Sequence, residues 1–479
     1  MTLTAISPDE RPAPRRSVPS SAGRRWKAAS SLALALLAAA PLSARADGPP
    51  VARDAETEAL VQEYAKPIFA AAGIHSKTVQ IFLIPNDAFN AFVTGPTKMF
   101  IFTGAITATK TPNELIGIIA HETGHLAHGD LAGLRQQLDS ARTAAMIAGL
   151  LGMGAAVAGA ATRTDGLGQA GAAISAGGMQ VAMRNLLMYQ RGQESGADRA
   201  AVDYLNRTGQ SPAGLLATLK RLADDALLSS RSVDPYMQSH PLPADRVSAL
   251  QSLVARSPYL DRKDPPALQL RHDLVRAKLA AFTWQPTRVA RAYPMSDQSL
   301  PAKYARAIVV YRSGALAPAI KAIDGLIAAA PANPYFWELK GQAYLDAGRS
   351  REASLAYGKA VSLAPSQGLL RVLYGQALVA AGNYDEAIRN LETGLQGDPD
   401  SPAGYRALAR AYAYKQNIPM AELASAQGFL AEGNVKDAKL HALSHALHYA
   451  TSMILYPSTR PRSADRREPR PRSIGDRYP

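Results

Sequence analysis

A period of 34 residues runs through the C-terminal half of the chain from about residue 298. Proline, glycine and alanine each return at this interval. The repeated positions are Pro331, Pro365 and Pro399; Gly314, Gly348 and Gly382; and Ala319, Ala353, Ala387 and Ala421. Stacked helical hairpins need small residues where helices cross and proline between repeats, and a generic alanine-rich array would not keep one period at three residue types. The sequence therefore predicts an α-solenoid over residues 298–450.

The residues around position 340 indicate the class of repeat. Trp337, Leu339, Gly341 and Tyr344 stand where the tetratricopeptide repeat has its first-helix residues, and the segment resembles that repeat. The interval predicts about four repeats. After residue 415 the register is expected to slip, because the glycine-to-alanine pattern restarts half a period early.

The N-terminal half contains an H-E-x-x-H pattern, His121 to His125. On a helix the two histidines lie one turn apart, so both imidazoles can reach one zinc ion, with Glu122 beside them as a general base. Thr111 followed by Pro112 and Glu114 predicts the start of this helix with a capping box. Because the chain has no cysteine, any zinc must be bound by histidine and carboxylate.

A second helix is predicted to provide the third ligand. Glu194 and Asp198 are four residues apart and share a face. Glu194 would complete a His-His-Glu zinc site, and Asp198 would accept the free N–H of a ligating histidine. The alternative is a solvated acidic face.

A proline-rich turn supplies two further candidates, His240 and Arg246. His240 could hydrogen-bond the oxyanion of the reaction, or act as a fourth zinc ligand that holds the enzyme inactive. Arg246 could orient the substrate or a carboxylate. Alternatively, His240 is an ordinary turn residue without a role in the reaction.

Four other histidines are weaker candidates for metal ligands. His128 is expected to lie behind the ligands or at the surface, because it is about 10 Å of helical rise beyond His121. His441, His445 and His448 have helical spacing and could form a rival metal site, but they lack a nearby acidic base, so a metal there is not expected.

Two strands are predicted ahead of the H-E-x-x-H helix, at 79–84 and 98–103. The strand just before that helix could be a sheet edge to which an extended peptide adds, or an ordinary core strand. Asn90 and Ala91 lie between the two strands and are candidate substrate-binding residues.

The chain ends carry much of the net charge of +14. Residues 1–46 contribute +5 and the arginine- and proline-rich residues 456–479 contribute +4, which leaves a mild +5. Nucleic-acid binding is therefore not expected. Basic residues, a short apolar run and Ala44-Arg45-Ala46 predict a signal peptide over 1–46 and hence export to the periplasm.

The remaining segments connect these parts. Residues 143–183 are rich in alanine and glycine and predict a helical hairpin, either a mobile cover of the active site or a peripheral membrane contact. Residues 256–297 are expected to be a linker with a helix at 265–282, and residues 451–479 a disordered basic tail.

Taken in order, the three motifs resemble the HtpX and CAAX-prenyl-endopeptidase family of zinc metallopeptidases over residues 55–255. The resemblance implies a mainly α fold, with a gluzincin-type domain at 50–255 whose helices accompany a small sheet. It implies one Zn²⁺ per chain, metal ligands His121, His125 and Glu194, and catalytic roles for Glu122, His240 and Arg246. Gly196 stands where the family often has a second glutamate. The long membrane segments of membrane-bound members are missing, which points to an exported branch.

Joining such a peptidase to C-terminal repeats resembles a periplasmic branch of the family. That resemblance implies an endopeptidase that degrades misfolded or stalled outer-membrane β-barrel proteins and assists their assembly. The repeats would bind clients or the barrel-assembly machinery. Two alternatives stay open: a repeat-containing chaperone or scaffold whose zinc site is closed, and a peptidase for cell-envelope peptides generally.

Overall fold

The fold is known here from a computed structural model. It describes residues 52–130, 132–140, 165–228, 240 and 244–455, together with residues 142, 143, 146, 147 and 150. All of them belong to one compact unit, Pro50–Pro479. The predicted signal peptide and residues 456–479 lie outside the described residues.

The N-terminal part combines helices with a three-stranded sheet. Its elements are α1 Ala55–Ala71, β1 Gln80–Ile84, β2 Ala91–Thr94, β3 Lys98–Phe102, α2 Thr103–Ala108, α3 Pro112–His128, α4 Asp165–Arg207, α5 Ala213–Leu228 and α6 Ala244–Val254. The strand order is β1-β3-β2, with β1 parallel and β2 antiparallel to β3. The strand just ahead of the H-E-x-x-H helix is β3, which lies in the centre, so the suggestion that it forms the sheet edge is wrong.

The two edges of the sheet differ. Ala52 pairs with Leu83 on the outer side of β1, its N–H donating to the Leu83 carbonyl at 2.8 Å. Among the described residues no strand pairs with the outer side of β2. An added strand would therefore find unpaired backbone groups on β2.

The apolar core of this part lies between the sheet and α3. It includes Leu115, Ile118 and Ile119, which form the apolar face of α3. Side chains of α1, α4, α5 and α6 complete the same core. Because α3 is buried along most of its length, its polar side chains face protein groups rather than water.

The C-terminal part is a series of paired helices. After α7 Pro266–Thr283 and α8 Pro286–Ala292 come α9 Leu300–Arg312, α10 Leu316–Ala329, α11 Pro334–Asp346, α12 Ser350–Leu363, α13 Gly368–Ala380, α14 Tyr384–Gly397, α15 Pro402–Tyr414, α16 Ile418–Ala431 and α17 Val435–Leu455. The pairs from α9 to α16 form four hairpins, which confirms the predicted number. Gly341 and Gly375 lie at helix crossings, where a Cβ would meet Tyr357 and Leu391 at 2.7 and 2.4 Å.

The expected slip of register after residue 415 is wrong. The hairpins stay 34 residues apart up to Ala431. The turns at Gly348 and Gly382 have φ of 73° and 83°, and the next equivalent position is Gln416 with φ 58°. The left-handed turn is thus kept without its glycine. The last helix also continues to Leu455, five residues into the predicted tail.

The predicted helix of the linker is observed as α7, and it belongs to both parts. Val275 and Leu279 pack in the core around the sheet, whereas Leu274 and Ala277 pack with the first hairpin. Helix α7 therefore packs against both parts of the chain.

The alanine- and glycine-rich segment is described only in part. Helix α4 is continuous from Asp165 to Arg207, so the second half of the predicted hairpin and the Glu194 helix are one element. Met146, Ile147 and Met188 are exposed. Among the described residues there is no helix with the length and hydropathy needed to span a membrane.

Candidate active site

Helix α3 begins as its sequence predicts. The Thr111 hydroxyl accepts a hydrogen bond from the Glu114 N–H at 3.3 Å, with Pro112 in the first turn. The Glu114 carboxylate accepts from the Lys110 N–H at 3.0 Å rather than from Thr111, so the capping box is shifted by one residue. Gly129 ends the helix in the left-handed conformation, with φ 68°.

The imidazoles of His121 and His125 point to the same place. Their Nε2 atoms are 3.2 Å apart and both side chains are buried. One helical turn separates the two residues, so a shared face follows from helix geometry.

Glu194 brings a carboxylate from α4 to the same place. Its Oε2 lies 3.4 Å from His121 Nε2, and its Oε1 lies 3.4 Å from His125 Nε2. Together with His240, these residues offer ligand atoms within 4.8 Å of one another. Two imidazoles and a carboxylate are a common donor set of catalytic zinc sites.

Carboxylates behind the two histidines contact their outer nitrogens. His121 Nδ1 lies 3.0 Å from Asp198 Oδ1, the partner predicted for it, and His125 Nδ1 lies 2.7 Å from Asp130 Oδ2. Burial alone would lower the pKa of both imidazoles. The carboxylates outweigh burial and raise it, for His125 to about 10. These contacts orient each ring with Nε2 towards Glu194.

Asp130 is a part of this site that the motif alone did not predict. The left-handed turn at Gly129 reverses the chain, so the next residue points back at His125. Gln193 of α4 donates a hydrogen bond to the Asp130 carbonyl at 2.7 Å. A glycine followed by aspartate just beyond the second histidine was the available signal.

Arg246 joins Glu194 and Asp198. Its Nε and Nη2 donate to Asp198 at 2.6 and 2.9 Å, and its Nη1 lies 2.6 Å from Glu194 Oε2. Although burial alone would raise the pKa of Asp198, hydrogen bonds from Arg246 and His121 lower it to about 2. Of the two roles considered for Arg246, this geometry matches the orientation of a carboxylate.

His240, four residues ahead of α6, also lies in the site. Its Nδ1 is 3.0 Å from Glu194 Oε1, and its Nε2 is 3.3 Å from the carbonyl of Ala91. His240 Nε2 is also 3.5 Å from Glu122 Oε1. His240 is therefore buried between the metal-ligand candidates and the start of the edge strand β2. Asn90 precedes that strand, and its carbonyl accepts from the Phe102 N–H at 2.9 Å.

Glu122 is fully buried, and neither carboxylate oxygen has a hydrogen-bond partner among the described residues. With Asp130, Glu194 and Asp198 it makes four carboxylates beside the guanidinium of Arg246 and the two imidazoles. Without a metal, protons on the imidazoles offset part of this negative charge, because the carboxylates raise their pKa. A divalent cation bound by the two imidazoles and Glu194 would replace those protons. The residues present therefore fit a divalent metal.

The position of His128 agrees with the sequence prediction. His128 is exposed and is not among the grouped ligand atoms. His445 Nδ1 bonds to the carbonyl of Pro419 at 2.7 Å. The view that these C-terminal histidines lack an acidic neighbour is wrong for His441, which bonds to Glu422 of the preceding helix at 2.5 Å. Within the described residues, a potential metal-binding group occurs only at residues 121, 125, 194 and 240.

Helices α3 and α4 can approach closely because residue 124 is glycine. A Cβ there would lie 2.9 Å from Ala197 Cα and 3.1 Å from its carbonyl oxygen. We expect Gly124→Val to destabilise the fold by about 1–3 kcal/mol and to weaken metal binding, since it pushes Glu194 away from the histidines. Urea unfolding and a metal titration measure the two effects.

Gly192→Ala is the matched control on α4, because a Cβ added at this position would meet no atom within 4 Å. It should keep wild-type metal affinity and, if anything, gain stability. Equal metal affinity for Gly124→Val and the wild type would contradict the importance of this close approach.

The cluster of buried donors can hold a divalent cation, and the acid beside it is placed to move a proton. Fold and site together define the class of this protein: it is a metallopeptidase. More narrowly, the chain belongs to peptidase family M48, whose model matches residues 52–254. A tetratricopeptide repeat model matches residues 344–411. The predicted combination of peptidase and repeats is thereby confirmed.

Two named relatives match different shares of this chain. A "Beta-barrel assembly-enhancing protease" of Escherichia coli (strain K12) is 24% identical over 394 residues, which cover 79% of this chain and 77% of that protein. A "Protease HtpX homolog" of Gemmatimonas aurantiaca is 30% identical over 205 residues, covering 38% of this chain and 72% of that protein. Among solved structures, "MamA MSR-1 C2" covers 36% of this chain at 20% identity, with a TM-score of 0.26 that is too low to assign a fold.

Proposed function

We propose that the protein is a periplasmic zinc endopeptidase that degrades misfolded or stalled outer-membrane β-barrel proteins and assists their assembly. The observation that carries the catalytic part is the convergence of His121, His125 and Glu194 beside the unpartnered carboxylate of Glu122. The client class is supported by the name of the Escherichia coli relative.

In this proposal His121, His125 and Glu194 bind one Zn²⁺ per chain. When bound, the metal polarises the scissile carbonyl and lowers the pKa of a water molecule. Glu122 takes the proton of the attacking water and gives it to the leaving amine. Asp130 and Asp198 fix the histidine rings, and Arg246 is a positioning residue that holds Glu194 and Asp198.

The client chain would bind along β2. The outer side of β2 is unpaired among the described residues, and its first carbonyl, that of Ala91, lies 3.3 Å from His240 Nε2. An extended peptide added there would run past the metal ligands, with Asn90 and Ala91 contacting its backbone. Main-chain pairing tolerates many sequences, which suits clients that expose unpaired strands.

The repeats would bind clients or the barrel-assembly machinery, as tetratricopeptide arrays bind other proteins. The exposed apolar residues of the 143–183 segment, such as Met146 and Ile147, support peripheral membrane contact as a further partner surface.

The experiment that tests the client class is cleavage of an unfolded outer-membrane β-barrel protein by the purified enzyme. A folded β-barrel and an unrelated unfolded protein, casein, are the comparison substrates. We expect cleavage of the unfolded barrel to be fastest. Equal cleavage of casein would favour a general cell-envelope peptidase, and profiling of substrates that accumulate in a deletion strain would identify its targets.

One observation favours a second function, a chaperone or scaffold with a closed zinc site. His240 Nδ1 lies 3.0 Å from Glu194, so a protein side chain occupies the space next to the ligands. Maturation of a β-barrel client in cells that carry the Glu122→Gln variant separates the two functions. Full maturation would support the scaffold, whereas loss of both maturation and degradation would support the peptidase.

His240→Ala is expected to change turnover without removing the metal, because His121, His125 and Glu194 remain. A rise in kcat would identify His240 as a gate, and a fall would identify an oxyanion donor. Cleavage assays and metal analysis of the same preparation measure both properties. Unchanged turnover would reject any role for this residue in the reaction.

A further inference from the structure

A second buried cluster of charged residues lies at the junction of the peptidase part and the repeats. Lys278 of α7 is at its centre. Its Nζ lies 2.5 Å from Asp54, 3.2 Å from Glu338 of α11 and 3.5 Å from Glu56 of α1. The Tyr304 hydroxyl of α9 donates to Glu56 at 3.0 Å. The cluster thus joins the start of the peptidase domain to the first two hairpins of the repeats.

Apolar contacts surround this cluster. Ala55 is buried in one hydrophobic cluster with Ala360, Val361 and Leu370 of the repeats. Asp54 also caps α1, accepting from the Thr57 N–H at 2.8 Å. The first turn of α1 is therefore held by the repeats through both its charges and its packing.

The charges in the cluster do not balance. Asp54, Glu56 and Glu338 face a single ammonium, that of Lys278, and all four side chains are largely buried. Uncompensated buried charge is costly, so at least one carboxylate gains from taking up a proton.

Other charged and titratable groups pack around the cluster without removing this excess. Arg53 pairs with Glu58 and with Asp398. Arg271 of α7 pairs with Glu63, and the Tyr335 ring is 5.7 Å from the Lys278 ammonium. Because each of these arginines already has an acidic partner, the three carboxylates around Lys278 share one cation.

We propose that this cluster is a proton-operated latch, which holds the repeats closed on the start of the peptidase domain and releases them as pH rises. The remaining polar contacts between the two parts near the sheet are more exposed. They include Arg53 with Asp398 at 2.8 Å and Gln80 with Asp400 at 2.5 Å. Exposed polar contacts of this kind contribute little, so the buried cluster and the apolar contacts of Ala55 hold the junction, and only the cluster responds to pH.

The direction of the pH effect follows from the two glutamates. Burial raises the pKa of Glu56 and of Glu338 from 4.5 to about 7, although Lys278 opposes the rise. An opened junction would return both groups towards 4.5, so the closed form holds more protons between these values. Its stability is therefore fully present below about 4.5 and declines as pH rises through about 7.

The Asp54 and Lys278 pair does not reverse this trend. Burial would raise the pKa of Asp54 and lower that of Lys278. The attraction between the two opposite charges outweighs burial, so the pKa of Asp54 is lowered, that of Lys278 is raised, and both groups stay charged. The pair therefore remains charged between pH 5 and 8, and the two glutamates set the response.

The test is a distance measurement across the junction in the full-length protein. Since the chain has no cysteine, spin labels on Lys77→Cys and Gln396→Cys report on one pair of sites. Both positions are exposed. From pH 5 to pH 8 we expect the ratio of open to closed molecules to rise by at least about tenfold.

The Glu56→Gln/Glu338→Gln variant keeps the shapes of the two side chains but removes both titrating carboxyl groups. The junction should therefore stay closed from pH 5 to pH 8. Glu63→Gln, on the same helix but at an exposed ion pair, is the matched control and should follow the wild type. Lys278→Met, which leaves three carboxylates without a cation, should be more open than the wild type at pH 8, where the carboxylates are charged.

Two results would overturn the latch. One is a wild-type distance that does not change between pH 5 and pH 8. The other is a Glu56→Gln/Glu338→Gln variant, folded by circular dichroism, that changes with pH as the wild type does. Neither measurement depends on the bound metal or on proteolysis, so a failure here is distinct from a failure of the proposed function.

Discussion

Glu122→Gln is expected to reduce peptide-bond cleavage by about 10²–10⁴-fold, the range typical of a general base. Glutamine keeps the shape of the side chain but cannot accept the proton of the attacking water. The metal should remain bound, because His121, His125 and Glu194 are unchanged. The measurement is kcat/KM on an unfolded β-barrel client, with the metal content determined on the same sample.

Glu114→Gln is the matched control for this substitution. Glu114 lies in the first turn of the same helix and is also buried. Its carboxylate accepts hydrogen bonds from the Lys110 N–H and from the Arg221 guanidinium. Its replacement should cost about 1 kcal/mol of stability through the cap and leave kcat unchanged. Undiminished cleavage by Glu122→Gln would refute the assignment of the base.

Arg246→Met is expected to have the largest effect on stability, a loss of about 3–5 kcal/mol. The guanidinium is buried and contacts both Asp198 and Glu194, so its removal leaves two buried carboxylates without their cation. Urea unfolding should be measured on metal-free protein, since a bound metal ion would itself offset part of that charge.

Arg221→Met provides the comparison. Arg221 pairs with Glu114 at 3.0 Å, but its side chain is 27% exposed, so we expect a loss of about 1 kcal/mol or less. Similar losses for the two variants would show that the buried Arg246 contacts do not stabilise the site.

The parts of this structure that sequence predicts are those fixed by local chemistry. Thr111 and Pro112 determine where α3 begins, and the spacing of His121 and His125 gives them a shared face. The 34-residue interval likewise predicts four hairpins, because each hairpin repeats the same small residues at its crossings. In each case the determining residues are close together along the chain.

Sequence-based predictions fail where a residue of another type adopts the backbone conformation that glycine has in the other repeats. The turn at Gln416 has the left-handed geometry that glycine has in the two preceding repeats. Packing of α15 against α16 holds that turn although the sequence signal is lost. The position of β3 in the centre of the sheet is a similar case, since strand order depends on contacts between distant segments.

At functional sites, too, the sequence does not predict the contacts between segments that are distant along the chain. The distance between Glu194 and the two histidines depends on the close approach of Gly124 to Ala197. The contact of Asp130 with His125 depends on the turn at Gly129. Nothing in the sequence around Lys278 indicates three carboxylates, because they come from α1, its cap and α11.

The metal content of the purified protein, determined by mass spectrometry after exposure to zinc and gel filtration, tests the central claim most directly. Wild type and Glu122→Gln should each retain about one zinc per chain, whereas His121→Ala and Glu194→Ala should retain much less than one. A wild-type protein without zinc, or a Glu194→Ala variant that binds zinc as tightly as the wild type, would contradict the assignment of the ligands.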